Sequence, residues 1–329
     1  MPYLEKHLKE RIGFKLKQLQ HLRPLPQSSV LKLKEQFGIE MTYNSNAIEG
    51  NRLTLRETFL VINEGITIKG KSLKDHLEAK NHYEALNYLY EFIEKDSHHT
   101  ISEVFIRNIQ QLIIKEIDSD YAGKYRDGNV IITGSSHTPP DVSVISNKMS
   151  NLINWIRDNV NKIHPIELAA LLHHKLVFIH PFFDGNGRTA RLVMNLILMQ
   201  KGYPLVMILR NDRKRYYDAL DKADKENFEP FVRFVAQAVE RSINIYLKTL
   251  LPTSKNKENY YPLSKISKKT PYSEKYLNLL IRLGKIEAYK EKRNWLTSVE
   301  AVNRYIKGRI RQRATPHDIL ITNTGENYL

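Results

Sequence analysis

The sequence of 329 residues contains no cysteine. Disulfide bonds and zinc sites built from thiolates are therefore excluded. No apolar run reaches the about 20 residues that a membrane-spanning helix needs. The amino terminus carries charges at Glu5, Lys6 and Lys9 and lacks the apolar centre of a secretory signal. We therefore expect a soluble protein that makes no use of a membrane.

Acidic residues are scarce relative to basic ones, since 36 Asp and Glu stand against 51 Lys and Arg and the net charge is +15. Most of this excess lies in residues 253–313, where 16 basic and 5 acidic side chains give a net charge of +11. A polar linker at residues 252–259 precedes this region and indicates a domain boundary. A chain of this length accommodates two domains and a sizeable core.

Residues 253–313 have the pattern of a small winged helix-turn-helix domain. The predicted elements are a helix at 263–266, a turn at 270–273, a helix at 276–284, strands at 286–289 and 294–296, and a last basic helix opened by a capping box of Thr297 and Glu300. Such a domain either contacts DNA phosphates or docks a protein, and we favour docking over DNA. Residues 314–329 are predicted to form a mobile tail.

The most informative segment runs from His180 to Arg191. Gly185 and Gly187 can adopt positive φ angles without a Cβ clash, so that their backbone N–H groups form a concavity for an anion. An apolar helical repeat follows, and we expect the loop to open a helix whose N terminus favours phosphate. Arg188 and Arg191 share one helical face and can grip two phosphates of one nucleotide.

Two further side chains of this segment supply chemistry. Asp184 lies at the mouth of the loop, where a carboxylate and the phosphate oxygens of a substrate can hold Mg²⁺ together. His180 titrates near neutral pH and can take a proton from an incoming hydroxyl group. The segment therefore predicts a site for a nucleotide polyphosphate.

Three other kinds of site fit the segment less well. Gly185, Gly187 and Ala190 have the spacing of a dinucleotide-binding loop, but the alternating strands and helices of that fold are not predicted elsewhere. The loop also lacks the Gly-Lys-Ser/Thr sequence of a Walker A motif. His173 and His174 have no carboxylate at the spacing of a zinc-protease helix, and we interpret them as packing residues.

The segment resembles the signature of Fic domains, His-Pro-Phe-x-x-Gly-Asn-Gly-Arg-x-x-Arg, and fills every defined position of it. The resemblance implies a helical domain that transfers a nucleoside monophosphate, usually AMP from ATP, to a hydroxyl side chain of a target protein. It implies that His180 is the base and Asp184 the Mg²⁺ ligand. The phosphate cradle is expected to consist of Gly185, Asn186, Gly187, Arg188 and Arg191.

Residues 45–51 resemble the inhibitory motif Ser/Thr-x-x-x-Glu-Gly/Asn, which some Fic proteins carry on a helix ahead of the active site. Here the motif places Ser45 at its start and Glu49 at its acidic position. Gly50 is typical of the residue after a helix end, where the helix dipole disfavours a carboxylate that no cation pairs. We predict that Glu49 pairs with Arg191 and removes a clamp on the γ-phosphate. The alternative is a solvated glutamate at a helix end.

Residues 130–140 combine β-branched residues, a Gly-Ser-Ser turn and a Pro-Pro pair, which predicts a short β-hairpin. It resembles the flap of Fic proteins, whose open edge can pair with an extended segment of the target. Four residues are expected to face the nucleotide: Ile131, Ile132, Thr133 and Gly134. Further along, Tyr216 is expected to contact the nucleotide, with core packing as an equal alternative. Asp224 stands where relatives have Asn, which puts that contact in doubt.

The expected fold class is mainly α: a Fic-type helical bundle with a small β-hairpin flap, followed by the winged helix-turn-helix domain. Residues 1–95 are predicted to form a helical segment with the inhibitory helix, and residues 96–252 a catalytic core that shares one hydrophobic core with it. The expected function is Mg²⁺-dependent transfer of AMP from ATP to a Ser, Thr or Tyr hydroxyl of a target protein or of the chain itself, in the cytoplasm. The alternatives are a DNA-binding regulator that only senses a nucleotide, and transfer of another phosphate-containing group. A homodimer is also open.

Overall fold

The computed structural model describes residues 2–23, 27–95, 101–250, 259–291 and 294–313. The chain divides into two compact units, the first up to residue 251 and the second from residue 252. Each unit is described by itself. Within the described residues, no helix combines the length and the apolar character needed to cross a bilayer.

The first unit is built of helices. They are α1 (Lys6–His21), α2 (Gln27–Ile48), α3 (Leu55–Asn63), α4 (Leu73–Lys95), α5 (Glu103–Ile114), α6 (Ile145–Asn159), α7 (Pro165–Ile179), α8 (Asn186–Gln200), α9 (Arg213–Ala223) and α10 (Glu229–Leu250). Short 3₁₀ turns at Val142–Val144 and Arg210–Asp212 precede α6 and α9.

The helices α7 and α8 form the centre of this unit. Both are buried over most of their length, as is typical of helices that are apolar on more than one face. Helices α5 and α4 pack against α8, and α6 and α10 pack against α7. The loop between α7 and α8 lies against α5, where Gln110 Nε2 donates to Asp184 O at 3.1 Å.

One hydrophobic core extends from Leu4 to Leu247, so the two segments predicted at 1–95 and 96–252 share it. Helix α1 packs on α10. There the buried Glu240 accepts hydrogen bonds from Arg11 at 2.6 Å and from Lys15 at 2.8 Å. The first and last helices of the unit are thus held together by apolar packing and by a paired buried charge.

The predicted β-hairpin at residues 130–140 is wrong, because no strand occurs between residues 129 and 141. The segment is an extended loop with one turn, in which Ser135 N donates to Ile132 O at 3.2 Å. Pro139 and Pro140 have no N–H group to donate to an opposite strand, which explains why a ladder does not form. We call residues 128–140 the flap loop.

The second unit contains a three-stranded sheet and three helices among its described residues. The elements are β1 (Tyr261–Pro262), α11 (Leu263–Ile266), α12 (Glu274–Arg282), β2 (Tyr289–Glu291), β3 (Asn294–Thr297) and α13 (Val299–Arg313). The strands pair antiparallel in the order β1–β3–β2, with Tyr261 opposite Thr297 and Tyr289 opposite Leu296. The predicted tail at residues 314–329 lies outside the described residues.

A small hydrophobic core holds the second unit together. It is formed by Leu263, Ile266, Leu277, Leu280, Ile281, Ile286, Ala301 and Val302. The turn before α12 ends in Ser273, whose hydroxyl caps the helix by accepting from Tyr276 N at 3.3 Å. The first strand of the predicted hairpin begins later than expected, at Tyr289 rather than at residue 286.

Candidate active site

His180 ends α7 in the left-handed conformation, with φ 50° and ψ 58°. Few residues other than glycine adopt this conformation, and here it turns the chain out of the helix. The ring Nδ1 lies 3.3 Å from the carbonyl oxygen of Val177. Because a carbonyl oxygen can only accept, Nδ1 carries the proton and Nε2 keeps its lone pair.

The imidazole of His180 is neutral at physiological pH. Burial, together with the Arg126 cation, lowers the pKa of His180 to about 4. The hydrogen bond to Val177 and the charge of Glu49 act in the opposite direction and do not offset this effect. A neutral imidazole with a free Nε2 can accept a proton from a hydroxyl group. The geometry therefore gives this residue the properties of a general base.

The loop from α7 to α8 is closed by its own side chains. Asn186 Oδ1 accepts from Phe182 N at 3.0 Å, and its Nδ2 donates to Phe182 O at 2.7 Å. Gly185 has a φ of 82° and precedes the first residue of α8, as predicted for the glycine loop. A Cβ at Gly185 would also press against Ile114 at 3.3 Å.

The positive φ angle expected of Gly187 is wrong, since this residue lies inside the first turn of α8 with an ordinary helical φ. Its missing side chain matters for a different reason. A Cβ at Gly187 would collide with Glu49 Oε1 and would lie 3.2 Å from Arg191 Nη1. Glycine at this position leaves room for an acidic group, either a carboxylate or a phosphate, against the start of α8.

Arg188 is almost completely buried and lies between two carboxylates. Its Nη2 donates to Asp184 Oδ1 at 2.9 Å, and its Nη1 lies 3.2 Å from Glu78 Oε1. Glu78 on α4 also accepts from Asn51 Nδ2 at 2.8 Å. The first arginine of the signature is thus held from both sides.

Asp184 is the more accessible of these carboxylates, with 48% of its side chain exposed. Burial would raise the pKa of Asp184, but the Arg188 guanidinium and the Gly185 N–H hold it below its usual value. An ionised, half-exposed carboxylate at a helix N terminus is a suitable magnesium ligand when phosphate oxygens complete the coordination.

Arg191 makes the contact predicted from the sequence. Its Nη2 donates to Glu49 Oε1 at 2.7 Å and to Ser45 O at 2.9 Å, and its Nε donates to Ser45 Oγ at 2.9 Å. The Arg191 side chain is 1% exposed, whereas that of Glu49 is 31% exposed. Burial alone would lower the pKa of Arg191, and the Glu49 charge raises it instead.

The position of Glu49 is set by the end of α2. Ile48 O accepts from Arg213 Nε at 2.7 Å, and Asn44 Oδ1 accepts from Arg210 N at 2.9 Å. Gly50 then reverses the chain with a φ of 104°. The carboxylate is therefore presented to Arg191 by a helix end that residues 210–213 hold in place.

Some donors of the two guanidiniums have no hydrogen-bond partner in the described part of the chain. They are Arg188 Nε and Arg191 Nη1, and both are buried. Buried donors without a partner are costly unless a ligand satisfies them. Their location at the N terminus of α8 suits phosphate oxygens. No cluster of three acidic or histidine ligands for a metal occurs among the described residues.

A family profile described as Fic/DOC family matches residues 100–198. Among solved structures, Fic-1 (residues 134–508) from C. elegans is 31% identical with a TM-score of 0.68, over 73% of this chain and 71% of that one. A Fic domain containing signaling protein from Bacteroides thetaiotaomicron is also 31% identical, with a TM-score of 0.67, over 74% of this chain and 97% of that one. The chain belongs to the Fic/DOC family.

The curated relatives of this Fic chain are named protein adenylyltransferase Fic. The protein from Nematostella vectensis is 41% identical over 217 residues, which cover 65% of this chain and 50% of that protein. The protein from Drosophila mojavensis is 34% identical over 221 residues, which cover 67% of this chain and 43% of that protein. The chain thus spans about half the length of the curated relatives it matches.

Tyr216 lies next to Arg191, whose guanidinium carbon is 6.0 Å from the centre of the tyrosine ring. The tyrosine is 1% exposed, and its hydroxyl lies 3.1 Å from His173 Nε2. Tyr216 is thus packed in the core beside Arg191, and its expected contact with the nucleotide stays a prediction. His173 and His174 are buried as expected, and His174 Nε2 lies 2.9 Å from Asp224 Oδ1. The aspartate is thereby engaged by a neighbouring helix.

The flap loop presents its residues unequally. Ile131 is 93% exposed, whereas Ile132 and Gly134 belong to the turn region. Ile131 therefore contacts little of its own unit, and its apolar side chain is available to a partner.

Two residues of the site were missed in the sequence. Arg126 is buried and donates to the carbonyl of His180, and Glu78 holds Arg188. The signal for Glu78 was weak, because a glutamate on a helix is usually solvated. Arg126 lies 54 residues ahead of His180, and no spacing in the sequence predicts the contact between them.

Proposed function

We propose that this chain is a protein adenylyltransferase that transfers AMP from ATP to a Ser, Thr or Tyr hydroxyl of a target protein or of itself. The observation that carries the proposal is a neutral imidazole with a free Nε2, on the loop that leads directly into α8, whose first turns carry two buried guanidiniums. The names of the curated relatives support the same activity. The cytoplasm is the expected compartment, because ATP is supplied there.

The reaction assigns one task to each group. His180 Nε2 takes the proton from the target hydroxyl, whose oxygen forms a bond to the α-phosphorus of ATP while the bond to the β-phosphate breaks and pyrophosphate leaves. Arg188 and Arg191 place positive charge beside the phosphates. Asp184 would hold Mg²⁺, which when bound supplies further charge neutralisation to the phosphates.

We propose further that Glu49 inhibits this transfer. As long as Glu49 occupies Arg191 Nη2, the γ-phosphate has no access to that donor, and the α-phosphorus is not aligned with the attacking oxygen. The buried contact of Arg191 with Ser45 keeps the guanidinium turned toward α2. Release of Glu49 is then the step that admits productive ATP.

The test is incubation with Mg²⁺ and ATP labelled on the α-phosphate, with and without cell lysate. We expect little label on protein with the wild-type chain, more with Glu49→Gly and none with Glu49→Gly combined with His180→Ala. Because Asn tolerates the left-handed conformation, His180→Asn serves as a second inactive variant with an undisturbed backbone. Glu91→Gln, an exposed change on α4, is the matched control. Equal labelling of wild type and Glu49→Gly would refute inhibition, and label that persists in both His180 variants would refute the mechanism.

The second unit is proposed to be a winged helix-turn-helix that docks a protein. The support is the antiparallel order β1–β3–β2 next to the helices α11 and α12, together with the cap at Ser273. The same unit is basic, and DNA remains the other candidate partner. A labelled DNA duplex titrated at two salt concentrations decides between them, since binding that weakens steeply with salt would favour DNA.

A regulator that only senses a nucleotide has no use for a free base at His180. It would bind ATP without transferring label, so the label experiment separates it from the enzyme. Labels on other nucleotides test transfer of another group, and light scattering at two concentrations tests a homodimer.

A further inference from the structure

The side chain of Arg126 is buried and makes its contacts at the base of the candidate active site. The residue is 3% exposed and lies two positions before the flap loop. Its donors are directed to backbone carbonyl oxygens of two different segments, the end of α7 and the flap loop. Neither the inhibitory contact nor the phosphate cradle uses this residue.

The first pair of contacts fixes the backbone around His180. Arg126 Nε donates to His180 O at 2.9 Å, and Arg126 N donates to Pro181 O at 2.9 Å. Because the left-handed conformation of a residue with a Cβ costs about 1–2 kcal/mol, it persists only where neighbours hold it. Arg126 is the neighbour that binds both carbonyl groups after the end of the helix.

The second pair of contacts closes the flap loop at its base. Arg126 Nη1 donates to Gly128 O at 2.8 Å, and Nη2 donates to Pro140 O at 2.5 Å. The two carbonyl groups mark the beginning and the end of the loop, where no strand pairing joins them. A single planar guanidinium therefore ties the end of α7 to both ends of the flap loop, and an ammonium group, whose donors all lie on one nitrogen, does not reproduce this geometry.

We propose that Arg126 is a positioning residue that sets the imidazole of His180 and the flap loop in one fixed relation. The inference rests on the proposed transferase function, because it is the transfer step that requires this relation. Positioning would act on the base that accepts the proton and on the flap loop, which is expected to hold the segment of the target that carries the attacking oxygen. Misplacement by about 1 Å can cost a hundredfold in rate.

The charge of Arg126 also acts on His180. The groups that face the imidazole include Arg126 and His137, which lower its pKa, and Glu49, which raises it. Two substitutions separate charge from geometry. Arg126→Lys keeps the cation and loses the planar fork, and Arg126→Gln loses both.

The experiment introduces both changes into the Glu49→Gly background and measures the rate of label transfer from ATP and the KM for ATP. Arg107→Lys is the matched control, because Arg107 also donates to a backbone carbonyl, that of Gly123 at 2.6 Å, away from His180. We expect Arg126→Lys to lower kcat about 10- to 100-fold with a KM for ATP within about twofold. The control should keep its rate within about twofold.

Two readouts do not depend on transfer. Amide hydrogen exchange in the flap loop should become at least about tenfold faster in Arg126→Lys than in Arg107→Lys, because the loop base opens. Titration of His180 followed by NMR should show a raised pKa in Arg126→Gln but not in Arg126→Lys.

The outcomes separate the two proposals. Protected flap amides and an unchanged rate in Arg126→Lys would overturn the positioning role. A fall in unfolding temperature with an unchanged rate per folded molecule would also overturn it, because that result marks a purely structural residue. Absence of label in every Glu49→Gly background would instead refute the transferase function, and the exchange and NMR data would still report on Arg126.

Discussion

Replacement of Glu49 by glutamine tests the inhibitory contact quantitatively. Gln keeps the size of the side chain and removes the charge that faces Arg191 Nη2 at 2.7 Å. Two unit charges about 4 Å apart interact by about 4 kcal/mol at an effective dielectric constant of about 20. Since the Glu49 side chain is 31% exposed, water screens part of this energy. A net value of about 1.5–3 kcal/mol, typical of a hydrogen bond to a charged group, is the better expectation.

At about 1.4 kcal/mol per factor of ten, this energy corresponds to a rise of about 10- to 150-fold in kcat/KM for ATP. The rate is measured as label transferred from ATP at subsaturating concentration, with Glu91→Gln as the control. The same contact predicts a change in thermal unfolding. A non-hydrolysable ATP analogue with Mg²⁺ should raise the unfolding temperature more in Glu49→Gln than in the wild type, because only in the variant is Arg191 free to receive a phosphate.

Two results would refute this reasoning. One is a kcat/KM for Glu49→Gln within twofold of the wild type. The other is an equal shift of the unfolding temperature by the ATP analogue in both chains, which would mean that Glu49 does not compete with the nucleotide.

Three further predictions follow from single contacts. Gly187→Ala should displace Glu49, because the added Cβ would collide with its carboxylate. In a double-mutant cycle with Glu49→Gly, the free energies of unfolding should show a coupling of at least about 0.5 kcal/mol. Additive effects would contradict the steric explanation. Because the pKa of His180 is lowered to about 4, the transfer rate of Glu49→Gly should stay constant from about pH 8 to about pH 5.5. A fall to half of this rate near pH 6.5 would contradict the prediction. The unfolded chain takes up this proton below about pH 6.5, so the contribution of His180 to stability is present above that pH and is lost as the pH falls toward 4. Asp224→Asn should lower the free energy of unfolding by about 1–2 kcal/mol through the weakened His174 contact, with binding of an ATP analogue unchanged in a calorimetric titration.

The local chemistry of the site could be read from the sequence because it lies in one continuous segment. Glycine at 185 and the apolar repeat after it predicted a loop that opens a helix, and α8 begins there. Glu49 could be paired with Arg191 across 142 residues only because a second motif resembled that of a known family. No periodicity or composition connects these two positions.

The remainder depended on tertiary contacts that a sequence does not display. The β-branched residues of the flap loop favour a strand, but Arg126 holds its ends and two prolines leave the far side without donors. Glu78 lies on α4 and Tyr216 on α9, and nothing in the sequence of either helix distinguishes these side chains from solvated or packing residues. Only the packing of α4 against α8 and of α9 against α10 decides that Glu78 binds Arg188 and that Tyr216 is buried in the core.

The hydrophobic core that runs from Leu4 to Leu247 extends far beyond the matched residues 100–198. A fragment limited to those residues would lack α2 and α4, which pack on one another and on α8, and also α10, which covers α7. Helix α2, whose end positions Glu49, is therefore also part of the packing of the bundle. Inhibition by Glu49, as proposed, is best relieved by exchange of single side chains, because removal of α2 would also remove part of the hydrophobic core.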